Sequence, residues 1–167
     1  SKAGISITKP AADLEDYLKS VQNKKRKIHY LPPYRPENFI KIFNLLNIHP
    51  DKISESSSVK FIKAIVNQRN YKSEEEIIEI EKAVNVTAEM HKAAIKMVKP
   101  GMTEAQIAAK VHEIALASGG NLAFPIILTK HGETLHNHYH GNTILEGDLV
   151  LNDSGAETEM GYAGDMS

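Results

Sequence analysis

The chain has 167 residues, of which 41% are hydrophobic and 25% charged, as is usual for globular proteins. The 20 Lys and Arg residues nearly balance the 21 Asp and Glu residues, which argues against nucleic acid or an anionic membrane as a partner. No cysteine is present, so disulfides, thiolate catalysis and Cys-ligated zinc are excluded. Because the sequence has neither a long apolar run nor a signal-peptide core, we expect a cytoplasmic protein with no membrane span.

The first part of the chain, residues 1–66, is predicted to form short amphipathic helices. One helix follows Pro10, a second has Pro36 in its first turn, and the serines at 56–58 supply a cap for a third. A short strand is predicted over Ile28–Leu31. No residue of this region carries recognisable chemistry.

Two strongly capped helices are predicted in the middle of the chain. Ser73 and Glu76 form a capping box for a helix of about 25 residues, which ends at Lys99–Gly101. Thr103 and Gln106 form the capping box of the next helix, so the pair is expected to be a helical hairpin. The buried stripe of the first helix is predicted to comprise Ile77, Ile80, Val84, Ala88, His91 and Ala94.

A histidine-rich segment follows a strand that Pro125 interrupts, and such a proline suits a sheet edge or a bulge. His136, His138 and His140 alternate, so on a strand their imidazoles would share one face. This pattern allows two interpretations: a three-histidine zinc site, or a polar loop with no metal.

The end of the chain predicts a β-hairpin that carries two aspartates. The apolar strand Leu149–Leu151 leads to Asp153, and after a turn the chain returns through Met160–Ala163 to Asp165. If the strands pair, the two carboxylates are expected side by side, where they repel each other unless a cation lies between them. A divalent metal site and a pair of unrelated turn aspartates both remain open.

These segments together resemble the aminopeptidase P and prolidase branch of the creatinase/methionine-aminopeptidase superfamily over about residues 60–167. The resemblance rests on Arg69, Lys72-Ser73, Glu76, Ala83, Pro100 to Glu104, Leu135-His136, Glu146 to Val150, Asp153 to Gly155 and Tyr162 to Asp165. It implies an α+β protein: the first half of a pita-bread fold, with two long helices on an antiparallel sheet, over residues 67–167. Residues 1–66 would then be the end of an α/β N-terminal domain.

The resemblance also implies a metallopeptidase that cleaves the bond before proline in peptides with proline in the second position. It implies two divalent metal ions, manganese first and cobalt or zinc as alternatives, with Asp153 a terminal ligand and Asp165 a bridging one. His136 would contact the substrate, and His138 and His140 are candidate substrate contacts. A homodimer or larger oligomer is expected.

Two departures from the family pattern matter. The interval between the aspartates is a residue longer than expected, and we predict that a turn near Glu157–Glu159 absorbs it without changing the register. The histidine and glutamates of the family's second half do not occur in this sequence, so we expect these 167 residues to be inactive alone. The alternatives are a non-enzymatic pita-bread relative that binds proteins, metal-free creatinase-type hydrolysis, and an unrelated histidine zinc protein.

Overall fold

A computed structural model describes residues 5–167 and separates into two units, one that ends at Tyr71 and one that runs from Lys72 to Ser167. The sequence placed the division after residue 66, whereas a helix continues through this point to Asn70. No helix among residues 5–167 is both long and apolar enough to cross a membrane.

The first unit consists of four helices in its described part: α1 (Asp13–Asn23), α2 (Pro36–Leu46), α3 (Pro50–Ile53) and α4 (Val59–Asn70). The prolines and the Ser58 cap act as predicted, and the Ser58 side chain accepts a hydrogen bond from the Phe61 N–H.

Two features of this unit differ from the predictions. The strand expected over Ile28–Leu31 is wrong, because no strand in residues 5–71 is available to pair with it. Tyr30 instead donates its hydroxyl to the carbonyl of Ile53 and accepts from the Ser58 N–H. The four-residue helix α3 was not predicted, since it is too short to show a periodic pattern.

The second unit begins with the predicted helical hairpin, α5 (Glu74–Met97) and α6 (Glu104–Ala117). Both capping boxes are confirmed: the Ser73 and Thr103 hydroxyls each accept from the backbone three residues on, at 3.3 Å. The core of the unit lies between these helices and the sheet, and its fully buried members include Met90, Ile107, Val111 and Leu128.

Ala94 is buried as predicted, but the rest of the buried stripe of α5 lies about one position before the predicted one. Its buried residues are Ala83, Thr87, Met90 and Ala94, whereas Val84 is 43% exposed. At Ala83 and Thr87 the backbone of a later segment lies directly against the helix, since a Cβ added at Gly164 would meet both residues within 3 Å.

Four short strands complete the unit: β1 (Asn121–Leu122), β2 (Ile127–Thr129), β3 (Leu151–Asp153) and β4 (Ala156–Glu157). β1 pairs antiparallel with β4, and β2 pairs antiparallel with β3. The predicted strand at Leu149–Leu151 begins later, because Leu149 is exposed and precedes the first ladder pair.

Between β1 and β2 the chain bulges at Pro125, as predicted. Four residues, 123–126, lie opposite only two, 154–155, on the partner strand. A proline suits this position because it has no N–H to contribute to a ladder. Helices and antiparallel strands together confirm the α+β class.

Candidate active site

The two predicted metal ligands lie on one ribbon, and its register places them on the same face. Ser154 pairs with Met166, and Glu157 pairs with Ala163, both antiparallel. Asp153 and Asp165 each precede a member of the first pair, so they are diagonal neighbours rather than directly opposed. Side chains alternate along a strand, so diagonal residues share a face, at about 7–8 Å between backbones.

The turn of this ribbon sets the register. Thr158 and Tyr162 are joined by a backbone hydrogen bond of 2.9 Å, and the Gly161 N–H donates to the Thr158 carbonyl at 2.9 Å. Gly161 has a φ of +79°, a left-handed conformation that glycine adopts at little cost. The turn between the two aspartates is thus a loop over 159–161, and with this register both aspartates lie on one face.

Helix α5 supports the opposite face of the ribbon at close range. The Thr87 hydroxyl donates to the Ala83 carbonyl at 2.8 Å and accepts from the Ala156 N–H at 3.0 Å. A Cβ added at Gly164 would lie 2.5 Å from the Thr87 Oγ1 atom and 2.7 Å from the Ala83 carbonyl oxygen. Only glycine fits here, so the strand before Asp165 rests directly on the helix.

A histidine from the same helix holds the strand on both sides of Asp153. His91 Nε2 lies 3.3 Å from the Ser154 carbonyl oxygen, and Nδ1 lies 3.3 Å from Asn152 Nδ2. A carbonyl only accepts, so Nε2 carries the proton and Nδ1 accepts from the amide. The fully buried Ser154 hydroxyl donates to Asn152 Oδ1 at 3.1 Å, which closes the network. Asp153 itself is half-buried and Asp165 is exposed.

The antiparallel segment of residues 153–166, here called the aspartate ribbon, is also hydrogen-bonded to the first turn of α5. Tyr162 donates its hydroxyl to Glu76 Oε1 at 2.8 Å, while Glu76 Oε2 accepts from the Ser73 N–H. These two hydrogen bonds lower the pKa of Glu76, the Ser73 backbone bond contributing more, and the bond to Glu76 raises the pKa of Tyr162.

The histidine segment is a loop rather than the strand considered from the sequence. His136 is exposed with a left-handed φ of +51°, and Asn137 Oδ1 accepts from the Tyr139 N–H two residues on, which turns the backbone. Alternation therefore does not place the three imidazoles on one face. Within residues 5–167 no three His, Asp or Glu side chains are grouped so that they could hold a metal, and the three-histidine zinc interpretation is wrong.

The structure does bring two of these histidines together, with a third from α6. His138, His140 and His112 border a shallow cavity of about 430 Å³ whose floor includes alanines of α6. His140 Nε2 lies 3.1 Å from the Ile126 carbonyl oxygen and so donates to it.

One functional candidate was missed at the sequence level: the fully buried carboxylate of Glu104, the first residue of α6. Burial raises its pKa, but hydrogen bonds from the Lys130 N–H, from Asn142 and from the Thr129 hydroxyl outweigh this and leave the pKa lowered. Its sequence position suggests only a favourable charge at a helix N-terminus. The partners lie 25 to 38 residues away, so local pattern does not reveal them.

Comparison with known proteins gives a consistent result. The model of metallopeptidase family M24 matches residues 79–167. Over 101 residues, 59% of this chain, the sequence is 34% identical to the probable dipeptidase PepE of Mycobacterium tuberculosis. It is 33% identical over 102 residues to the Xaa-Pro aminopeptidase of Escherichia coli. The matched regions cover 27% and 23% of these relatives, so the chain spans about a quarter of their length.

A solved structure extends the similarity to the fold. The prolidase from Pyrococcus horikoshii superposes on 97% of this chain with a TM-score of 0.71 and 28% sequence identity, and 45% of that chain is covered.

Proposed function

Because the chain belongs to metallopeptidase family M24, we propose that the protein is a metal-dependent aminopeptidase that cleaves the bond before proline. The predicted resemblance to aminopeptidase P and prolidase is confirmed, as is the pita-bread fold. The observation that carries the proposal is the register that places Asp153 and Asp165 on one face of the ribbon.

The chemistry of these two side chains fits divalent cations. Carboxylate oxygens are hard ligands, and two carboxylates on one face repel each other until a cation lies between them. We assign Asp153 as a terminal ligand and Asp165 as a bridging ligand of a two-ion centre, with manganese first and cobalt or zinc as alternatives. Bound there, such ions supply Lewis-acid polarisation of the scissile carbonyl and an acidified water.

The described residues supply only part of such a centre. No third His, Asp or Glu in residues 5–167 joins the two aspartates as a metal ligand. Two carboxylates leave most coordination positions to water, so we expect these 167 residues alone to bind a cation weakly and to lack peptidase activity.

His136 is proposed to contact the substrate or the tetrahedral intermediate as a hydrogen-bond donor. Its side chain is exposed, and its left-handed backbone is of the uncommon kind that clusters at functional sites. His138 and His140 are proposed as further substrate contacts. Since Nε2 of His140 is engaged by the Ile126 carbonyl, Nδ1 is the atom that remains for a ligand.

The proposed substrate is a peptide with proline in the second position. Proline has no N–H to recognise, so selection must come from ring shape and from the free N-terminus of the peptide. The E. coli relative is named for Xaa-Pro substrates, which supports this choice. Assembly as a homodimer or larger oligomer is part of the same proposal, and the cytoplasmic location stays a prediction.

A peptidase assay on the protein at its natural length tests the proposal. With Mn²⁺ present, we expect release of the first residue from an Ala-Pro-Ala peptide and far slower release from Ala-Ala-Ala. Asp153→Ala should lower the rate at least about a hundredfold, as removal of a group that stabilises charge in the transition state does. Glu146→Ala, an exposed acidic residue of the same unit, is the matched control and should retain full activity.

Two results would contradict the proposal. If Asp153→Ala is as active as the unsubstituted protein, the aspartates take no part in catalysis. A folded protein that hydrolyses neither peptide with Mn²⁺, Co²⁺ or Zn²⁺ would favour the alternative of a non-enzymatic relative that binds other proteins.

A further inference from the structure

The histidine loop, residues 131–142, has both of its ends on one buried carboxylate. At the start of the loop, Glu104 Oε1 accepts from the Lys130 N–H at 2.8 Å and from the Thr129 hydroxyl at 3.1 Å. At the end of the loop, Glu104 Oε2 accepts from the Asn142 backbone at 3.3 Å and from its side-chain amide at 3.0 Å. A single side chain thus joins two segments of chain that enclose all three candidate histidines.

The two ends differ in what else holds them. The far end also pairs by its backbone with the start of α6: the Ala105 N–H donates to the His140 carbonyl at 2.9 Å, and the Glu104 N–H to the Asn142 carbonyl at 3.0 Å. The near end continues from β2, where Thr129 pairs with Leu151, and Thr129 is also at the centre of the side-chain hydrogen bonds that reach the middle of the loop.

The Thr129 hydroxyl makes three hydrogen bonds. It donates to Glu104, and it accepts from the His131 N–H at 3.0 Å and from Asn137 Nδ2 at 3.3 Å. A hydroxyl has one proton and two lone pairs, so all of its capacity is used. The Glu104 carboxylate can only accept, which fixes the Thr129 proton toward it and leaves both lone pairs for the loop.

The hydrogen bond to Asn137 anchors the residue that follows His136. His136 has a left-handed φ of +51°, which a non-glycine residue keeps only where its surroundings hold the backbone in place. Asn137 is held at one side by Thr129, and its Oδ1 atom accepts from the Tyr139 N–H at 3.0 Å. The backbone conformation of His136 is therefore maintained by the hydrogen bonds of Asn137, one of which is to the buried Thr129 hydroxyl.

We infer that Glu104 and Thr129 are positioning residues that act through Asn137 to hold His136 in its left-handed conformation, directed at the substrate. This inference rests on the proposed function, in which His136 meets the substrate. It adds that the position of the His136 side chain is fixed by consecutive hydrogen bonds among Glu104, Thr129 and Asn137, and not by the exposed loop itself.

The test compares Thr129→Val with Thr129→Ser. Valine keeps the shape of the buried side chain and removes the hydroxyl, whereas serine retains the hydroxyl. Two readouts on the folded chain do not depend on activity: the NMR signal of the His136 ring and hydrogen exchange of the Tyr139 amide. Tyr139 bonds to Asn137 and not to Thr129, so its amide reports whether the effect is transmitted.

In Thr129→Val we expect the His136 signal to shift or broaden and the Tyr139 amide to exchange about tenfold faster, as loss of one buried hydrogen bond permits. Thr129→Ser should match the parent chain. Asn137→Ala interrupts the same series of hydrogen bonds at a half-buried loop residue and leaves the core unaltered. If Thr129→Val does not fold, Asn137→Ala serves in its place and should disturb the His136 signal equally. Unchanged His136 and Tyr139 signals in the folded variants would overturn the inference.

Kinetics of the protein at its natural length complete the test. Thr129→Val should lower kcat with little change in KM, and in a His136→Ala background it should lower kcat no further, because both changes remove the same contribution. Additive losses would overturn the inference. A parent protein with no peptidase activity would overturn the proposed function instead, while the NMR and exchange readouts still decide the positioning role.

Discussion

The aspartate ribbon and the histidine loop are held in place by different forces. The ribbon is positioned by backbone pairing and by direct contact of Gly164 with the Thr87 hydroxyl and the Ala83 carbonyl of α5. The loop is held by backbone hydrogen bonds to the start of α6 and by polar groups at both of its ends that converge on the ionised carboxylate of Glu104. The ribbon should therefore be the more sensitive to added volume, whereas the loop should respond to the charge of a buried carboxylate.

The largest effect is expected for Gly164→Ala. The added methyl group would lie 2.5 Å from the Thr87 Oγ1 atom, so the strand that carries Asp165 must move away from the helix. Overpacking of this kind costs about 3 kcal/mol, measurable by urea denaturation. Gly132→Ala is the control, since its Cβ would meet Leu151 at 3.5 Å, an ordinary contact. Equal stability of the two variants would show that the close approach is not required.

A smaller loss is expected for Glu104→Gln. The amide keeps the size of the side chain but replaces one acceptor oxygen with an NH₂ group that faces donors. We expect a loss of about 2 kcal/mol in the free energy of unfolding, because hydrogen bonds to a charged group are lost within the core. Faster amide exchange should be confined to the loop, with the ribbon unaffected. An equal increase in amide exchange in the loop and in the ribbon would contradict the claim that the two regions are held independently.

The same carboxylate should make the loop sensitive to acid. Because hydrogen bonds lower the pKa of Glu104 in the folded state, its contribution to stability is fully present above the unfolded value of about 4.3. The contribution is lost as the pH falls below this value and through the folded pKa. The parent chain should therefore lose more stability than Glu104→Gln between pH 5 and pH 3, approximate limits chosen to span the transition. Parallel pH profiles for the two proteins would contradict this assignment.

The smallest effect is expected for Tyr162→Phe. This change removes the hydrogen bond to Glu76 but leaves the ladder and the Gly164 contact intact. The thermal midpoint should fall by less than in Glu104→Gln, and an ultraviolet titration should lose one tyrosine ionisation from its alkaline part, because the bond raises the pKa of Tyr162. A titration curve unchanged at its alkaline end would show that Tyr162 does not make this bond.

Local signals made much of the second unit predictable. The two capping boxes each involve residues three apart, and the Pro-Gly turn lies between them, so the sequence contains the whole helical hairpin. The ribbon could also be predicted, because alternation and turn residues determine which side chains share a face. Its exact pairing could not be predicted: direct opposition of Asp153 and Asp165 was expected, and the observed turn makes them diagonal.

The parts that could not be predicted depend on contacts between distant residues. Glu104 looks like an ordinary first-turn glutamate until Thr129 and Asn142 fold against it. Likewise, the stripe of α5 was misplaced because the contact of Gly164 with Thr87 spans more of the sequence than any periodic pattern covers. The histidine alternation left a zinc site on a strand and a polar loop both open, because alternation does not reveal the hydrogen bond from Asn137 to Thr129 that holds the loop.

Mn²⁺ binding by the protein at its natural length, followed by electron paramagnetic resonance, tests most directly whether Asp153 and Asp165 form a cation site. We predict that Asp153→Asn and Asp165→Asn each weaken binding at least about tenfold, since each removes a charged ligand, while Glu146→Gln binds as the parent does. Mn²⁺ affinity that is unchanged in both aspartate variants would contradict the account.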